Sequence, residues 1–190
     1  MRWAISALAA LGLCAGAAQA APVEQSPDPE LRQRLAEAIN AADSFEHRYD
    51  AEVWLVDMSG RLKRLLPDEA QRLELLRLVH RESRRAKLAP ELVLAVIEVE
   101  SYFDRYAVSV AGAQGLMQVM PFWLKEIGKP DDNLFHVETN LRMGCTILKF
   151  YLDKERGNLI NALGRYNGSL GRYEYPSKVI NALNRRWYRS

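Results

Sequence analysis

The sequence predicts a mainly α-helical protein with little or no sheet. Apolar residues recur at three- and four-residue spacing along most of the chain, which is the repeat of an amphipathic helix. Prolines and glycines fall where helices of ordinary length would begin and end. The chain has 190 residues and no internal repeat, which suits one domain with a core of its own.

The first twenty residues are typical of a secretory signal peptide. Arg2 supplies a positive start, residues 3–13 are apolar, and Ala18-Gln19-Ala20 offers a cleavage site between small residues. The apolar stretch is shorter than the ~20 residues that span a bilayer. We therefore expect residues 1–20 to be removed on export to the periplasm of a bacterial cell envelope. An uncleaved anchor is the alternative.

Cysteine content and charge exclude several classes of protein. Cys14 would be lost with the leader, and the bulky Leu13 before it disfavours a lipid anchor. Cys145 alone cannot form an internal disulfide, so the domain must be stabilised by packing. A formal charge of +2 gives no reason to expect nucleic acid as a partner. We interpret the basic runs 81–85 and 185–186 as solvated helix faces.

Residues 21–70 are expected to form a tether followed by a helical extension. Residues 21–29 carry three prolines and suit a tether. Asp28 and Pro29 fit the cap and the first position of a helix that continues to about Ala42. The apolar residues at four-residue spacing on this helix are Leu31, Leu35 and Ile39.

Residues 51–66 are ambiguous between a hairpin and a helix. Met58-Ser59-Gly60 resembles a turn between two short strands. However, Trp54, Met58, Leu62 and Leu65 fall on one helical stripe, which favours a helix.

Residues 71–190 are expected to form the main domain. The segment from Ser101 to Gln118 is irregular, and we expect a loop with at most a short ribbon there. The other segments predict helices: one after Pro67-Asp68, one from Pro90, one from Pro121 to about Gly128, one over 137–156, one from Asn158 through Tyr166 and one from Pro176 toward Trp187.

The helix that begins at Pro90 is apolar on nearly all sides and should be buried. It ends in two acidic residues, Glu98 and Glu100, which project about 200° apart at 3.6 residues per turn. Only one of them can face a cleft. Glu100 is the better acid, because the helix dipole and partial burial both raise its pKa, as a general acid requires. The alternative is a structural ion pair with an arginine such as Arg105.

Five blocks around and after Glu100 resemble the signature of the soluble lytic transglycosylases, lysozyme-like enzymes that cut peptidoglycan. They occur in the family's order over about residues 72–188, although Arg165 and Ser169 depart from its pattern. The blocks are Glu100-Ser101-Tyr102-Phe103, Ala107-Val108-Ser109, the stretch 112–121 (GAQGLMQVMP), Asn140-Leu141-Arg142-Met143-Gly144, and Arg165-Tyr166-Asn167-Gly168.

This resemblance implies a goose-type lysozyme or transglycosylase fold that acts on peptidoglycan glycan strands. It implies that Glu100 is the single catalytic acid and base, and that cleavage leaves a 1,6-anhydro sugar without a cofactor. The residues implied to line the sugar groove are Ser109, Gln118 and Met120, with Tyr166 and Asn167 completing it from the far side.

Two rival functions stay open at this point. A hydrolase on the same fold would need a second carboxyl group, and Asp104 suits a loop anchor better than that role. An inactive glycan-binding scaffold is disfavoured by the intact Glu100. No metal is expected, because the three histidines lie in unrelated contexts. They are His47, His80 and His136.

Cell-envelope or secretion machinery is a candidate partner that the sequence does not specify.

Overall fold

The computed structural model describes residues 48–188, and this part of the chain is almost entirely helical. Two isolated β-bridges join Val108 to Gln114 and Gln114 to Val119. Residues 48–188 contain no β-strand beyond these two bridges. The predicted fold class is therefore confirmed. The helices are α1 (Arg48–Leu62), α2 (Glu69–Arg85), α3 (Pro90–Glu100), α4 (Trp123–Ile127), α5 (Val137–Lys154), α6 (Leu159–Tyr166) and α7 (Glu174–Ala182), followed by a π-helical turn (Leu183–Trp187).

The predictions for the leader, the tether and the helix from Pro29 lie outside the described residues. The ambiguous residues 51–66 are inside them and form most of α1, so the helix is confirmed and the hairpin is not formed. One face of α1 packs into the core that it shares with the later helices. Its buried side chains are Ala51, Leu55, Met58 and Leu62.

Helix α2 begins where the sequence predicted, because Asp68 caps it. The Asp68 carboxylate accepts a hydrogen bond of 2.8 Å from the backbone N–H of Gln71. The interpretation of residues 81–85 as a solvated face is wrong at two positions, since Glu82 and Ser83 are buried. Glu82 is held by Arg85, whose Nε donates to its carboxylate at 2.7 Å.

Helix α3 is the central element, and its predicted burial is confirmed. Pro90 occupies its first turn, where a missing N–H costs nothing. Residues 93–97 have no exposed surface. The helix lies against α2, α7 and the π-helical turn, so the last residue of α3 is brought to the junction of several elements.

The later helices follow the predicted order, with small differences at their ends. Helix α4 begins at Trp123 rather than Pro121, and α7 begins at Glu174 rather than Pro176. In α5 the side chains of Leu141, Cys145 and Leu148, at spacings of four and three residues, are buried and face the core. No helix within residues 48–188 combines the length and the apolar character needed to cross a bilayer.

Candidate active site

Glu100 is the last residue of α3, at the point where the buried helix gives way to irregular chain. Ser101 ends the helix, and its backbone N–H and its hydroxyl both donate to the carbonyl of Ile97. Tyr102 and Phe103 then take the left-handed conformation, with φ of 53° and 68°. Two consecutive non-glycine residues in this region are strained, and such strain is concentrated at functional sites. The chain therefore leaves α3 sharply after the acid.

The two carboxyl groups at the end of α3 point to different surroundings, as the helical angle predicts. Glu98 is buried and accepts hydrogen bonds from Nε of Arg186 at 3.1 Å and from Nε1 of Trp187 at 2.8 Å. Arg186 is therefore a structural ion-pair partner, and the interpretation of residues 185–186 as a solvated face is wrong for this residue. Glu98 holds the π-helical turn against α3.

Glu100 instead meets a tyrosine that the sequence analysis did not single out. The hydroxyl of Tyr175, near the start of α7, donates a hydrogen bond of 2.6 Å to Oε1 of Glu100. Burial raises the pKa of Glu100 from 4.5 to about 7, while this hydrogen bond opposes the rise. The side chain keeps a partly exposed edge. Glu100 is thus a carboxyl group that can hold a proton near neutral pH and still be reached from solvent.

Tyr166 lies close to this pair but has its own partner. Its hydroxyl donates a hydrogen bond of 2.7 Å to the backbone carbonyl of Met117. Burial, and then the charge of Glu100, raise the pKa of both Tyr166 and Tyr175 well above the ordinary tyrosine value. Both hydroxyls therefore stay protonated, and both act as donors beside the acid.

The segment 107–120 is a loop that Asn140 of α5 holds from beneath. The Asn140 side chain is 1% exposed, and its Oδ1 accepts from the N–H of Met117 at 2.8 Å. Its Nδ2 donates to the carbonyls of Gln114 at 2.8 Å and Leu134 at 2.9 Å. One buried amide therefore bonds to three backbone groups, and for the N–H of Met117 and the carbonyl of Leu134 it is the partner that the loop backbone does not supply.

Close packing around Asn140 explains two glycines of this region. A Cβ on Gly115, whose φ is 75°, would lie 2.4 Å from Nδ2 of Asn140. A Cβ on Gly144 would lie 2.5 Å from the sulfur of Met117. Met117 itself is fully buried and belongs to the hydrophobic core. These contacts set the height of the loop above α5.

The predicted groove residues of the loop have defined local contacts. Gln118 takes a φ of 49°, and its Nε2 donates to the carbonyls of Ala107 at 3.2 Å and Gly115 at 3.0 Å. The Ser109 hydroxyl accepts from the N–H of Ala113 at 3.0 Å. Gln118 and Ser109 are both partly exposed, as is Met120. The structure gives these residues a loop-bracing role, and their contact with sugar stays a prediction.

Asn167 lies at the far end of the site and ends α6. Its backbone N–H donates to the carbonyl of Leu163, and its side chain is exposed. Because it directly follows Tyr166, it is held near the tyrosine pair, but a role in binding stays a prediction.

Asp104 has the loop-anchoring contact that the sequence favoured. Its carboxylate accepts from the N–H of Tyr106 at 2.8 Å, and its side chain is exposed. The guanidinium of Arg105 lies 5.1 Å from the centre of the Tyr106 ring. The structure thus directs Arg105 to Tyr106, while Glu100 is bonded to Tyr175.

His80 is one of the buried polar residues of the described chain. Its ring lies 5.1 Å from that of Trp54, and burial, then the charge of Arg84, lower the pKa of His80 to about 4. Within residues 48–188, no three acidic, cysteine or histidine side chains are grouped as a metal site would require. In the described site the acid, Glu100, accepts a hydrogen bond from the hydroxyl of Tyr175, while the hydroxyl of Tyr166 is bonded to the carbonyl of Met117.

Comparison with known proteins gives a consistent family. The family model described as the transglycosylase SLT domain matches residues 77–183. The chain is 32% identical over 121 residues to a membrane-bound lytic murein transglycosylase C of Actinobacillus pleuropneumoniae, covering 59% of this chain and 33% of that protein. It is 32% identical over 109 residues to a transglycosylase of Enterobacteria phage PRD1, covering 54% of this chain and 40% of that protein. The chain thus spans about a third of the length of the Actinobacillus pleuropneumoniae relative.

Two solved structures are also similar. The 70 kDa soluble lytic transglycosylase of Escherichia coli is 20% identical and superposes with a TM-score of 0.47. The superposition covers 78% of this chain and 27% of that one. An inactive mutant of the lytic transglycosylase Slt of Pseudomonas aeruginosa is 21% identical and also superposes with a TM-score of 0.47. This superposition covers 82% of this chain and 34% of that one.

Proposed function

The chain belongs to the family of the transglycosylase SLT domain, and from this premise we propose that it is a peptidoglycan lytic transglycosylase. Residues 71–190 would be its catalytic domain. The substrate would be the glycan strand, cut at the β-1,4 bond between N-acetylmuramic acid and N-acetylglucosamine. Glu100 would act as the single acid and base.

The observation that carries this proposal is the state of Glu100. A general acid is most effective when its pKa lies near the working pH, and burial raises the pKa of Glu100 to about 7. The Tyr175 hydroxyl, 2.6 Å from Oε1, fixes the orientation of the carboxyl group. The partly exposed edge of the side chain leaves room for a glycosidic oxygen.

The proposed reaction has two proton transfers, both through Glu100. The protonated carboxyl group gives its proton to the glycosidic oxygen, and the bond from that oxygen to C1 of the muramic acid breaks. The neighbouring N-acetyl oxygen stabilises the positive charge at C1. The Glu100 carboxylate then takes the proton from the C6 hydroxyl as O6 attacks C1. The products are a 1,6-anhydro end and a free sugar hydroxyl, so atoms and charge balance without water.

Tyr175 would support the second half of this cycle. After the first transfer Glu100 is negatively charged in a partly buried position, where a lone charge is costly. The hydrogen bond from Tyr175 favours the charged form.

The nucleophile of the second step belongs to the substrate itself. Intramolecular attack by O6 avoids the entropy lost in capturing a separate nucleophile.

The loop suggests how the groove would bind sugar. An amide NH₂ has two hydrogens, and those of Gln118 are committed to the carbonyls of Ala107 and Gly115. Gln118 would therefore act on the substrate as an acceptor, through its carbonyl oxygen, for the N–H of an N-acetyl group. Ser109 and Met120 would line the same wall, and Tyr166 with Asn167 the opposite one.

The proposed place of action is the cell envelope. The leader features of residues 1–20 support export, and peptidoglycan lies outside the cytoplasmic membrane. The proposed chemistry uses no cofactor or metal. The near-neutral formal charge of +2 supports recognition through hydrogen bonds and apolar contact rather than through a strong electrostatic field.

Mass spectrometry of digested peptidoglycan tests the proposal. Purified protein is incubated with intact sacculi, and the released glycan ends are weighed. A transglycosylase yields anhydro ends that are one water lighter than reducing ends, and we expect only these. Reducing ends would show a hydrolase of the lysozyme type, and no release by folded protein would show a binding scaffold; either result would overturn the proposal.

A further inference from the structure

Helix α1 carries two apolar stripes on opposite sides. The first stripe faces the core and is buried; its members are Ala51, Leu55, Met58 and Leu62. The second stripe begins at Tyr49 and repeats at spacings of four, three and four residues, which keeps it within about 40° of one line along the helix. It lies about 180° from the buried stripe. Its members are Tyr49, Val53, Val56 and Gly60.

This second stripe is exposed within the described part of the chain. Tyr49 is 72% exposed, Val53 51% and Val56 49%, and open space surrounds the position of a Cβ on Gly60. A groove of about 430 Å³ runs beside it and is lined in part by Tyr188. An apolar stripe along a helix normally faces another element of the structure. The stripe therefore lacks a covering element among residues 48–188.

Residues 29–42 have the complementary pattern. They lie outside the described residues, and their sequence predicts an amphipathic helix. Its apolar positions repeat at the same spacings of four, three and four, with Ile39 at the edge of the stripe. These positions are Leu31, Leu35, Ala38 and Ala42.

The short connection determines how the two helices would meet. Only residues 43–47 lie between the end predicted for this helix, at about Ala42, and Arg48, where the described part of α1 begins. Helices joined by two to five residues pack as antiparallel neighbours. The predicted helix would then run back along the outer face of α1.

In that antiparallel register three of the four steps place a larger side chain against alanine or glycine, and the fourth pairs Leu35 with Val56. Ala42 falls opposite Tyr49 and Ala38 opposite Val53. Leu35 then falls opposite Val56, and Leu31 opposite Gly60, where the surface has room for it. Large residues facing small ones are what close helix packing requires.

Charge at the edges of the two stripes is also complementary. Asp50 and Asp57 border the exposed stripe on one side and Glu52 on the other. In residues 29–42, the positions that border the apolar stripe are Arg32 and Arg34. The acidic residues of that segment, Glu30 and Glu37, fall on its far face by the same helical angles.

We propose that residues 29–42 form a helix that packs antiparallel on the exposed Tyr49–Val53–Val56–Gly60 stripe of α1, as one chain folded on itself. This assigns the extension a structural partner within the protein. It places the start of the tether on the outer side of α1, so the catalytic domain would be linked to its leader through a docked helix rather than directly at Arg48.

Disulfide trapping tests the proposed register. The full chain carries Cys14→Ser to remove the leader thiol, and Cys145 is buried. The pair Ala38→Cys with Val53→Cys joins facing positions, and the matched control, Glu37→Cys with Val53→Cys, uses the far face. We expect the first pair to form an intramolecular disulfide about tenfold faster or more, because a docked helix raises the effective concentration of the thiols.

Other outcomes of this trapping would overturn the proposal. Equal rates for the two pairs would show that the segment has no fixed face toward α1. Disulfide-linked dimers would show that a second copy of the chain covers the stripe instead.

Limited proteolysis gives an independent reading. Val53→Glu places a charge in the stripe at an exposed position, so the protein should fold and keep its activity on sacculi. We expect trypsin to cut after Arg32 and Arg34 about tenfold faster than in the unaltered chain, since undocking exposes these bonds. Lys154→Glu, at an exposed position at the end of α5, should leave the rate unchanged. Equal cleavage in all three proteins would overturn the docking.

Discussion

The hydroxyl of Tyr175 lies 2.6 Å from Oε1 of Glu100, although the two residues are 75 positions apart in the chain. Glu100 ends the buried α3 and Tyr175 lies in the first turn of α7, and these two helices pack against each other. The fold thus supplies a donor to an acid whose pKa burial has raised. The hydrogen bond and the burial act on that pKa in opposite directions.

Replacing Tyr175 by phenylalanine should change both the rate and the pH profile. The hydrogen bond favours the carboxylate, so its loss should raise the pKa of Glu100 further. A hydrogen bond to a charged group contributes about 1.5–3 kcal/mol. We therefore expect kcat to fall by about tenfold or more, and the alkaline limb of the profile to move about one pH unit upward.

The matched control for that variant is Tyr173→Phe, since Tyr173 is exposed and only two residues away. Its rate and pH profile should match those of the unaltered protein. A Tyr175→Phe profile with an unmoved alkaline limb would contradict a direct bond to the acid in solution.

Glu100→Gln should increase stability above neutral pH. The pKa of Glu100 is about 7 in the folded chain against 4.5 ordinarily. Folding therefore takes up a proton between these values, and the free energy of unfolding decreases as pH rises from about 4.5 to about 7. The full difference corresponds to about 3 kcal/mol at most. Glutamine carries no charge, so the variant escapes this loss.

Denaturant unfolding at pH 4 and at pH 8 checks the sign. The Glu100→Gln variant should match the unaltered protein at pH 4 and exceed it by up to about 3 kcal/mol at pH 8. Glu126→Gln, at an exposed position of α4, should differ from the unaltered protein equally at the two pH values. A Glu100→Gln difference that is equal at the two pH values would refute the raised pKa.

Asn140→Ala should unfold at a much lower temperature. The variant leaves the N–H of Met117 and the carbonyl of Leu134 without their buried partner, while the carbonyl of Gln114 keeps its bond from the N–H of Val119. Unsatisfied buried groups cost about 1–3 kcal/mol each, so we expect a loss of about 3 kcal/mol or more and a Tm about 10 °C lower. Thermal unfolding followed by circular dichroism measures this. Asn184→Ala, an exposed position, should change the Tm by about 1 °C or less; equal shifts in the two variants would argue against the bracing role.

Gly115→Ala and Gly112→Ala form a second matched pair. Both glycines have positive φ, 75° and 85°, so both variants are strained by about 1 kcal/mol. Only at Gly115 does the new methyl group meet Asn140, at 2.4 Å, whereas Gly112 faces open space. We expect Gly115→Ala to lose stability well beyond Gly112→Ala and to lose activity on sacculi as well. Similar stability of the two variants in thermal unfolding would show that the loop is not held tightly on α5.

Local patterns in the sequence predicted most of the helices and the divergence of the two acids. Capping at Asp68 and Asn158 depends on neighbouring residues only, and both caps are present. The opposite directions of Glu98 and Glu100 follow from the helical repeat alone. These features could be predicted because no distant contact decides them.

Contacts between distant segments were the part that the sequence could not show. Tyr175 carries no local signal that distinguishes it from the other tyrosines, and only the packing of α7 on α3 brings it to Glu100. In the same way, Arg186 belongs to a run that is typical of a solvated face, yet it forms an ion pair with the buried Glu98. The sequence placed Tyr166 near the acid, but could not show that its hydroxyl bonds to Met117.

The central claim is that Glu100, and not its neighbour Glu98, moves the protons. The direct test is the rate of anhydro-end release from sacculi by Glu100→Gln and by Glu98→Gln, each corrected for the fraction folded. We predict a loss of about 10²-fold or more for Glu100→Gln, as expected when a general acid is removed. Glu98→Gln should keep most of its rate but unfold more readily, because Arg186 loses its charged partner. Release by Glu100→Gln at the rate of the unaltered protein would contradict the account.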